Sequence, residues 1–341
     1  ISQDLNIQKD RIQLYQNQVF VTDNVEGIVP EFLTLLRGVI DSPDIPLNVS
    51  RSYLQADGAV KKISNYITRK VADKLNSLFN KDREAFEQKW NDIKVVIEYG
   101  MLSEDKFFEK AQNFNLFPTT EGTYLTFDEL KEQTKDLQTD KDDKLVLLYA
   151  SDVEAQHAYI ETAKAKGYTV LLLDSPIVGH LIQKLETKHE KVSFARVDAD
   201  HIDKLIAKED NTTAKLNEEE QGKLKELIES HVDKASYTVQ LEPMASDAPP
   251  LLITQPEFMR RMKEMQQTGG GGGMFGGGFP EMYNLVVNVN HELIGQILHT
   301  KTQKKQERLI KQSLDLARLA QNLLKGEALT TFINRSYELI K

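Results

Sequence analysis

The chain has 341 residues, 40% of them hydrophobic and 28% charged, which is enough for two or three packed domains and too apolar for general disorder. A formal net charge of -9 excludes a general attraction to nucleic acid or to an anionic membrane. With no cysteine there is no disulfide framework and no thiolate metal site, and no apolar run reaches the roughly 20 residues that span a bilayer, so a soluble, cytoplasmic protein is expected. The chain opens on Ile rather than Met, in a segment that already reads as part of a folded element, and is expected to be a piece of a longer protein.

From Arg11 to Asp23 the apolar residues Ile12, Leu14, Val19 and Val21 alternate loosely, a strand pattern stopped by Asp23-Asn24. Pro30 opens a helical segment. LRGVIDSPDIPLNVSR, Leu36 to Arg51, then breaks at Pro43 and Pro46 and ends on an arginine with no acidic residue among the next five. Beyond it Val60, Ile63, Ile67, Val71, Leu75 and Leu78 recur at steps of three and four, the stripe of a helix whose other face carries Lys61, Lys62, Arg69, Lys70 and Lys74. Further helices are expected through Trp90 and around Phe107, Phe108 and Phe114, their aromatic residues serving as packing.

A second unit begins near Lys144. Leu145 to Ala150 and Tyr168 to Leu173 are short apolar runs around a helix with a capping-box start, Ser151 to Glu154, and a Gly167 stop. A helix over 178–188 and the run Val192 to Val197 extend this to a three-stranded parallel sheet. Neither strand is followed by GxGxxG or GxxxxGK[ST], so no phosphate cradle is present.

From Asn211 to Lys234 a charged helix leads to the strands YTVQLEPM and LLIT. A helix follows from Thr254, with Phe258, Met259, Met262 and Met265 as its narrow apolar stripe. Eight glycines between Gly269 and Gly278, with no Lys-Ser or Lys-Thr after them, read as a flexible spacer. After the strand NLVVNVN two amphipathic helices close the chain. Leu309, Ile310, Leu314, Ala317, Ala320, Leu323 and Leu324 line one, and Leu329, Phe332, Ile333, Tyr337 and Ile340 the other, with Gly326 turning between them. The pair resembles half of a four-helix bundle, which a homodimer would complete through Leu316, Leu323, Leu324, Phe332, Ile333 and Ile340.

Self-contained catalysis is not expected. His291-Glu292 lacks the second histidine of HExxH, there is no GxSxG, and no thiol nucleophile exists. The expected fold class is α/β in several small units: the end of a large αβα layer with a helical connector over 1–135, a small αβα unit over 136–220, and a mixed C-terminal dimerisation domain over 221–341.

LRGVIDSPDIPLNVSR, with VFVTDN before it and YLQ after it, resembles the middle-domain signature of the 90-kDa heat-shock chaperone family, bacterial HtpG type. The resemblance continues through FEQKWNDIKVVIEYGMLSED, LVLLYASD, GYTVLLLDSPI, NVNHELIGQIL and LARLAQNLLKGEALTTFINRSYELI, covering essentially the whole chain. It implies that Arg51 reaches the γ-phosphate of ATP, bound with Mg in an N-terminal domain outside this chain, while Gln55 supports it and Asn48 shapes the loop. A guanidinium supplied by another domain stabilises charge on a transferring phosphoryl group only when the domains close. The resemblance further implies that Phe258, Met259, Met262 and Met265 contact non-native client proteins, since methionine adapts to unlike partners. The chain ends without MEEVD, so no tetratricopeptide co-chaperone is expected at its end. A purely structural dimerisation scaffold is the alternative reading.

Overall fold

The computed structural model describes residues 12–23, 28–33, 37–43, 58–208, 212–261 and 282–340. The fold is α/β, with helices and several small sheets, as expected. The described residues fall into two compact units, one drawn from the ranges 1–118, 122–132 and 175–188, the other from 119–121, 133–174 and 189–341.

The first unit starts with β1 (Ile12–Gln16) and β2 (Val19–Thr22), an antiparallel hairpin. Its two-residue turn places Asn17 at φ 47 and Gln18 at φ 67, the left-handed pair that matches strand twist. Strand β3 (Gly38–Asp41) lies parallel to β1, and the Asp41 carboxylate accepts from the Gln18 amide at 3.1 Å. Sequence periodicity misses β3, because four residues just before Pro43 become a strand only when β1 offers its edge.

The segment opened by Pro30 forms a short 3-10 turn, Glu31–Leu33. Helices α1 (Gly58–Lys81), α2 (Arg83–Gln88), α3 (Trp90–Ser103) and α4 (Asp105–Ala111) follow. The basic face of α1 is exposed as expected. Its covered face is turned slightly from the predicted stripe: Thr68, Ala72 and Phe79 are buried, Ile63, Ile67, Val71 and Leu75 are half-buried, and Leu78 is exposed. Packing against α4, with Lys110 2.5 Å from Asp73, selects that face. The core is aromatic. Phe32 and Phe107 pack with their rings tilted by 47° at 4.6 Å between centroids, and Phe86 pairs with Trp90 and Phe114. Gly100 makes this possible, since a Cβ there would sit 2.8 Å from the Phe107 ring. A two-stranded pair, β4 (Phe117–Pro118) and β5 (Tyr124–Leu125), precedes α5 (Phe127–Gln138). Arg83 binds both oxygens of Glu129 at 2.5 and 2.9 Å and the Tyr124 carbonyl at 2.8 Å.

In the second unit β6 (Leu145–Ala150) is buried along its whole length. The helix after it, α6 (His157–Ala165), starts later than the proposed Ser151–Glu154 capping box. Asp152 instead accepts from the Glu154 and Ala155 amides, and buried Gln156 accepts from the Ser151 and Asp152 amides, so these side chains close a turn before the helix. The Gly167 stop is observed: φ is +76, with Gly167 donating to the Lys164 carbonyl and Tyr168 to that of Ala163. Strand β7 (Val170–Leu172) is shorter than the apolar run. Helix α7 (Val178–Lys188) belongs to the first unit, where Lys184 lies 3.0 Å from Asp105. With β8 (Val192–Arg196) the predicted three-stranded parallel sheet is complete, in the order β7-β6-β8.

After α8 (Ile202–Leu205), the charged helix expected over Asn211 to Lys234 is shorter, α9 (Glu218–Glu229), because Asn217 and Glu220 form a reciprocal capping box at its start. Strands β9 (Tyr237–Glu242), β10 (Leu251–Thr254) and β11 (Tyr283–Asn288) form a mixed sheet in the order β10-β11-β9, with β11 parallel to β9 and antiparallel to β10. Helices α10 (Glu292–His299), α11 (Gln303–Ala320) and α12 (Gly326–Ile340) finish the chain. Leu224, Ile228, Val239, Ile253, Leu285, Val287, Ile294, Ile310 and Leu314 are among the buried core. Asn322, at φ 55, ends α11, and the Leu323 amide donates back to the Arg318 carbonyl at 2.9 Å. Leu323 and Leu324 therefore follow α11 rather than line it.

Candidate functional site

Two surfaces of the second unit carry large apolar side chains that the chain itself leaves uncovered. The first is on the closing helices. Ile310, Ser313, Leu314 and Ala317 turn α11 toward the core, and Arg335 on α12 donates to Gln312 Oε1 at 2.7 Å and to Asp315 at 2.6 Å. Gln312 donates in turn to the Ser336 hydroxyl at 2.9 Å, and Arg318 reaches Asp315 at 3.1 Å. These contacts fix α12 on α11. Yet Leu316 is 52% exposed, Leu319 39%, Ile333 41% and Tyr337 64%. Each helix thus presents an apolar pair one turn apart.

The six residues read as the dimer seam divide accordingly. Leu316 and Ile333 are exposed, Leu323 is half-buried against the core, and Leu324 and Phe332 are buried within the chain. The side chain of Ile340 lies outside those described. Leu319, three residues from Leu316, joins this exposed face and was not among the six.

The second surface begins at residues 257–261, a helical turn directly after β10. Phe258 is 70% exposed and Met259 half-buried, while Met262 and Met265 fall outside the described residues. Beneath Phe258 the opposite side of the turn is bound to the parallel sheet. Glu257 Oε1 accepts from the Tyr149 hydroxyl of β6 at 3.0 Å, from Arg260 Nη2 at 2.5 Å and from Arg261 Nε at 2.7 Å. Arg261 also donates to the Phe194 carbonyl of β8 at 2.6 Å. Burial would raise the Glu257 carboxyl, but the two arginines outweigh it and hold it below the usual carboxylate range. Burial and the Glu257 charge push the Tyr149 hydroxyl up, which keeps it a donor. Next to this cluster Arg196 grips Asp198 with both arms, at 2.5 and 2.9 Å.

The same unit is stitched at two further points. Tyr159 on α6 donates to the Ile253 carbonyl of β10, and Gln321 after α11 donates to both. In NVNH, buried Asn288 holds the Met244 amide and the Ala245 carbonyl, and Asn290 holds Thr213, Met244 and Lys215. His291 caps α10 by accepting from the Leu293 amide through Nδ1, which gives it a structural role.

Arg51, Gln55 and Asn48 lie outside the described residues. The described chain on either side of them is β3, followed by Pro43, whose carbonyl accepts from Gln16 at 3.3 Å, and the start of α1. No described helix is long and apolar enough to cross a membrane.

The Hsp90 protein family matches residues 1–330, and the chain belongs to that family. Among its relatives is the chaperone protein HtpG of Bacteroides thetaiotaomicron, 43% identical over all of this chain and 60% of the relative. That of Porphyromonas gingivalis is 49% identical over 87% of this chain and 44% of the relative. That of Rhodopseudomonas palustris is 36% identical over half of this chain. The chain spans about 60% of the length of the first of these.

Proposed function

We propose that this chain is the middle and C-terminal region of an ATP-dependent molecular chaperone of the cytoplasm, holding non-native proteins on an apolar helix face and dimerising through α11 and α12. The observation that carries the reading is Phe258, a large apolar side chain left 70% exposed on a turn whose other side is bound through the half-buried Glu257 carboxylate. An aromatic side chain at that exposure has no role in the chain's own core and suits a surface that takes up apolar segments of other proteins. Membership of the Hsp90 family supports the same reading.

In the longer protein Arg51 would supply its guanidinium to the γ-phosphate of ATP held with Mg elsewhere, supported by Gln55 on a loop shaped by Asn48. Its contribution is charge stabilisation on domain closure. In that protein Arg51→Ala is expected to slow ATP hydrolysis, by up to about 10³ where the contact limits turnover, with ATP affinity nearly unchanged.

The test of the binding role uses the chain as it stands, with reduced and carboxymethylated α-lactalbumin as the non-native probe. Phe258→Ser with Met259→Ser and Met262→Ser should weaken probe binding while leaving the dimer and the melting transition in place. Loss of the melting transition would make the stripe core. Unchanged probe binding would favour the scaffold reading.

A further inference from the structure

The turn at 257–261 carries more polar organisation than a surface helix start needs. One oxygen of one carboxylate, Glu257 Oε1, gathers three donors from two elements: the Tyr149 hydroxyl at 3.0 Å, Arg260 Nη2 at 2.5 Å and Arg261 Nε at 2.7 Å. Arg260 also donates to the Tyr149 hydroxyl and lies over its ring at 5.6 Å from the centroid. Tyr149 is fully buried in the central strand of the parallel sheet and Arg260 is 4% exposed, so this is an interior cluster. Arg261 continues it to the Phe194 carbonyl on the neighbouring strand. Just before the turn, the Gln255 amide donates to the Asp198 carbonyl at 3.1 Å, and Arg196 reaches the Gln255 side chain at 3.3 Å.

Between the residues so held stands Phe258, exposed. A helical turn places i+3 and i+4 on the side of i, so Glu257, Arg260 and Arg261 share the inner face and Phe258 is left on the outer one. The contacts described for this turn are those of the inner face. The direction in which Phe258 points is therefore set by the charged contacts on the inner one.

We propose that Glu257 is a positioning residue for the client surface: its carboxylate clamps the first turn of the helix to β6 and β8 and thereby aims Phe258 outward. This rests on the reading of Phe258 as a client contact. The clamp would hold the turn at 257–261 still, and preorganising a contact side chain raises affinity by removing ordering cost. It also confers orientation through hydrogen bonds to a charge, which are stronger and more directional than neutral ones.

The experiment uses Glu257→Gln, which keeps the shape and removes the charge, and Tyr149→Phe, which removes one donor and keeps the ring. Hydrogen exchange of the amides at 257–261 reports local opening. It should accelerate on the order of tenfold to a hundredfold in the first variant and about threefold in the second, with β6, β8 and α11 unchanged. Probe binding by carboxymethylated α-lactalbumin should weaken in Glu257→Gln. The double variant Glu257→Gln, Phe258→Ser should bind no more weakly than Phe258→Ser alone, because the carboxylate acts through the aromatic ring. Additive losses in that cycle would overturn the positioning role. So would unaltered exchange at 257–261 in both variants, and Tyr149→Phe supplies that answer if Glu257→Gln does not fold. Accelerated exchange together with full probe binding by Phe258→Ser would leave the clamp standing and remove the client reading instead.

Discussion

Helices α3 and α4 of the first unit and the closing pair α11 and α12 both carry large apolar side chains, yet these end in opposite states. Around α3 and α4 the large side chains are covered: Trp90, Phe107 and Phe114 are all at or below 1% exposure, and Gly100 is bare so that two rings can meet across it. On α11 and α12 the inner face is covered and tied by Arg335, Gln312 and Asp315, while Leu316, Leu319, Ile333 and Tyr337 remain in solvent. The difference teaches that a second apolar stripe on an already packed helix pair is surplus to the fold. Such a stripe is the feature on which association through α11 and α12 is proposed.

Breaking the covered side should cost most. Trp90→Ala removes a fully buried indole between helices and is expected to lower stability by about 3 to 5 kcal/mol, read as a drop in the urea midpoint at unchanged slope. A loss under about 1 kcal/mol would mean that the aromatic cluster repacks freely.

Removing the uncovered side should act on association instead. Leu316→Ser with Ile333→Ser is expected to leave the melting transition almost in place and to weaken a dimer by at least a hundredfold. Each large side chain buried at a seam contributes roughly 1.5 to 3 kcal/mol and occurs twice in a two-fold pair. Sedimentation across a dilution series reads this directly. Phe332→Ala, whose ring is buried within the chain, should instead destabilise the protomer. Equal dissociation from both changes would erase the distinction between the two faces.

A smaller effect separates the units by pH. The hydrogen bond from Arg83, outweighing burial, lowers the Glu129 carboxyl from 4.5 to about 2. A depressed carboxylate stabilises above its unfolded value, so this contribution is complete above about pH 4.5 and is lost as the pH falls toward 2. Both side chains are about two-fifths exposed, and solvent screening holds the effect to roughly 1 kcal/mol or less. Glu129→Gln should flatten the stability curve of the first unit within that window, and an acid limb identical to that of the parent would refute it.

Smallest is Asn322→Gly. The left-handed backbone that ends α11, at φ 55, suits glycine slightly better than asparagine, and a gain of about 0.5 kcal/mol in chemical denaturation is expected. A loss would indicate that the asparagine side chain contributes beyond its backbone geometry.

Much was legible before any coordinates. The apolar runs of β6 and β8, the Gly167 stop and the basic face of α1 follow from local periodicity and backbone preference, and the family resemblance rested on linear motifs. That the three strands form a parallel sheet was legible too, because short apolar runs separated by helices allow few other arrangements, whereas their order was not. The spacing of Glu257, Arg260 and Arg261 was visible, but their partner Tyr149 stands 108 residues from Glu257. Nothing local links them.

By itself the sequence determined which segments are amphipathic, where most helices and strands lie, and to which family the chain belongs, since each of these depends on neighbours within a few positions. Tertiary structure alone decided which side of an amphipathic helix is covered. It turned α1 toward Thr68, Ala72 and Phe79, made a strand of Gly38–Asp41, and divided the predicted seam into buried Leu324 and Phe332 and exposed Leu316 and Ile333. Burial is a property of what arrives from elsewhere in the chain, and period-3.6 patterning specifies a stripe without saying what will cover it.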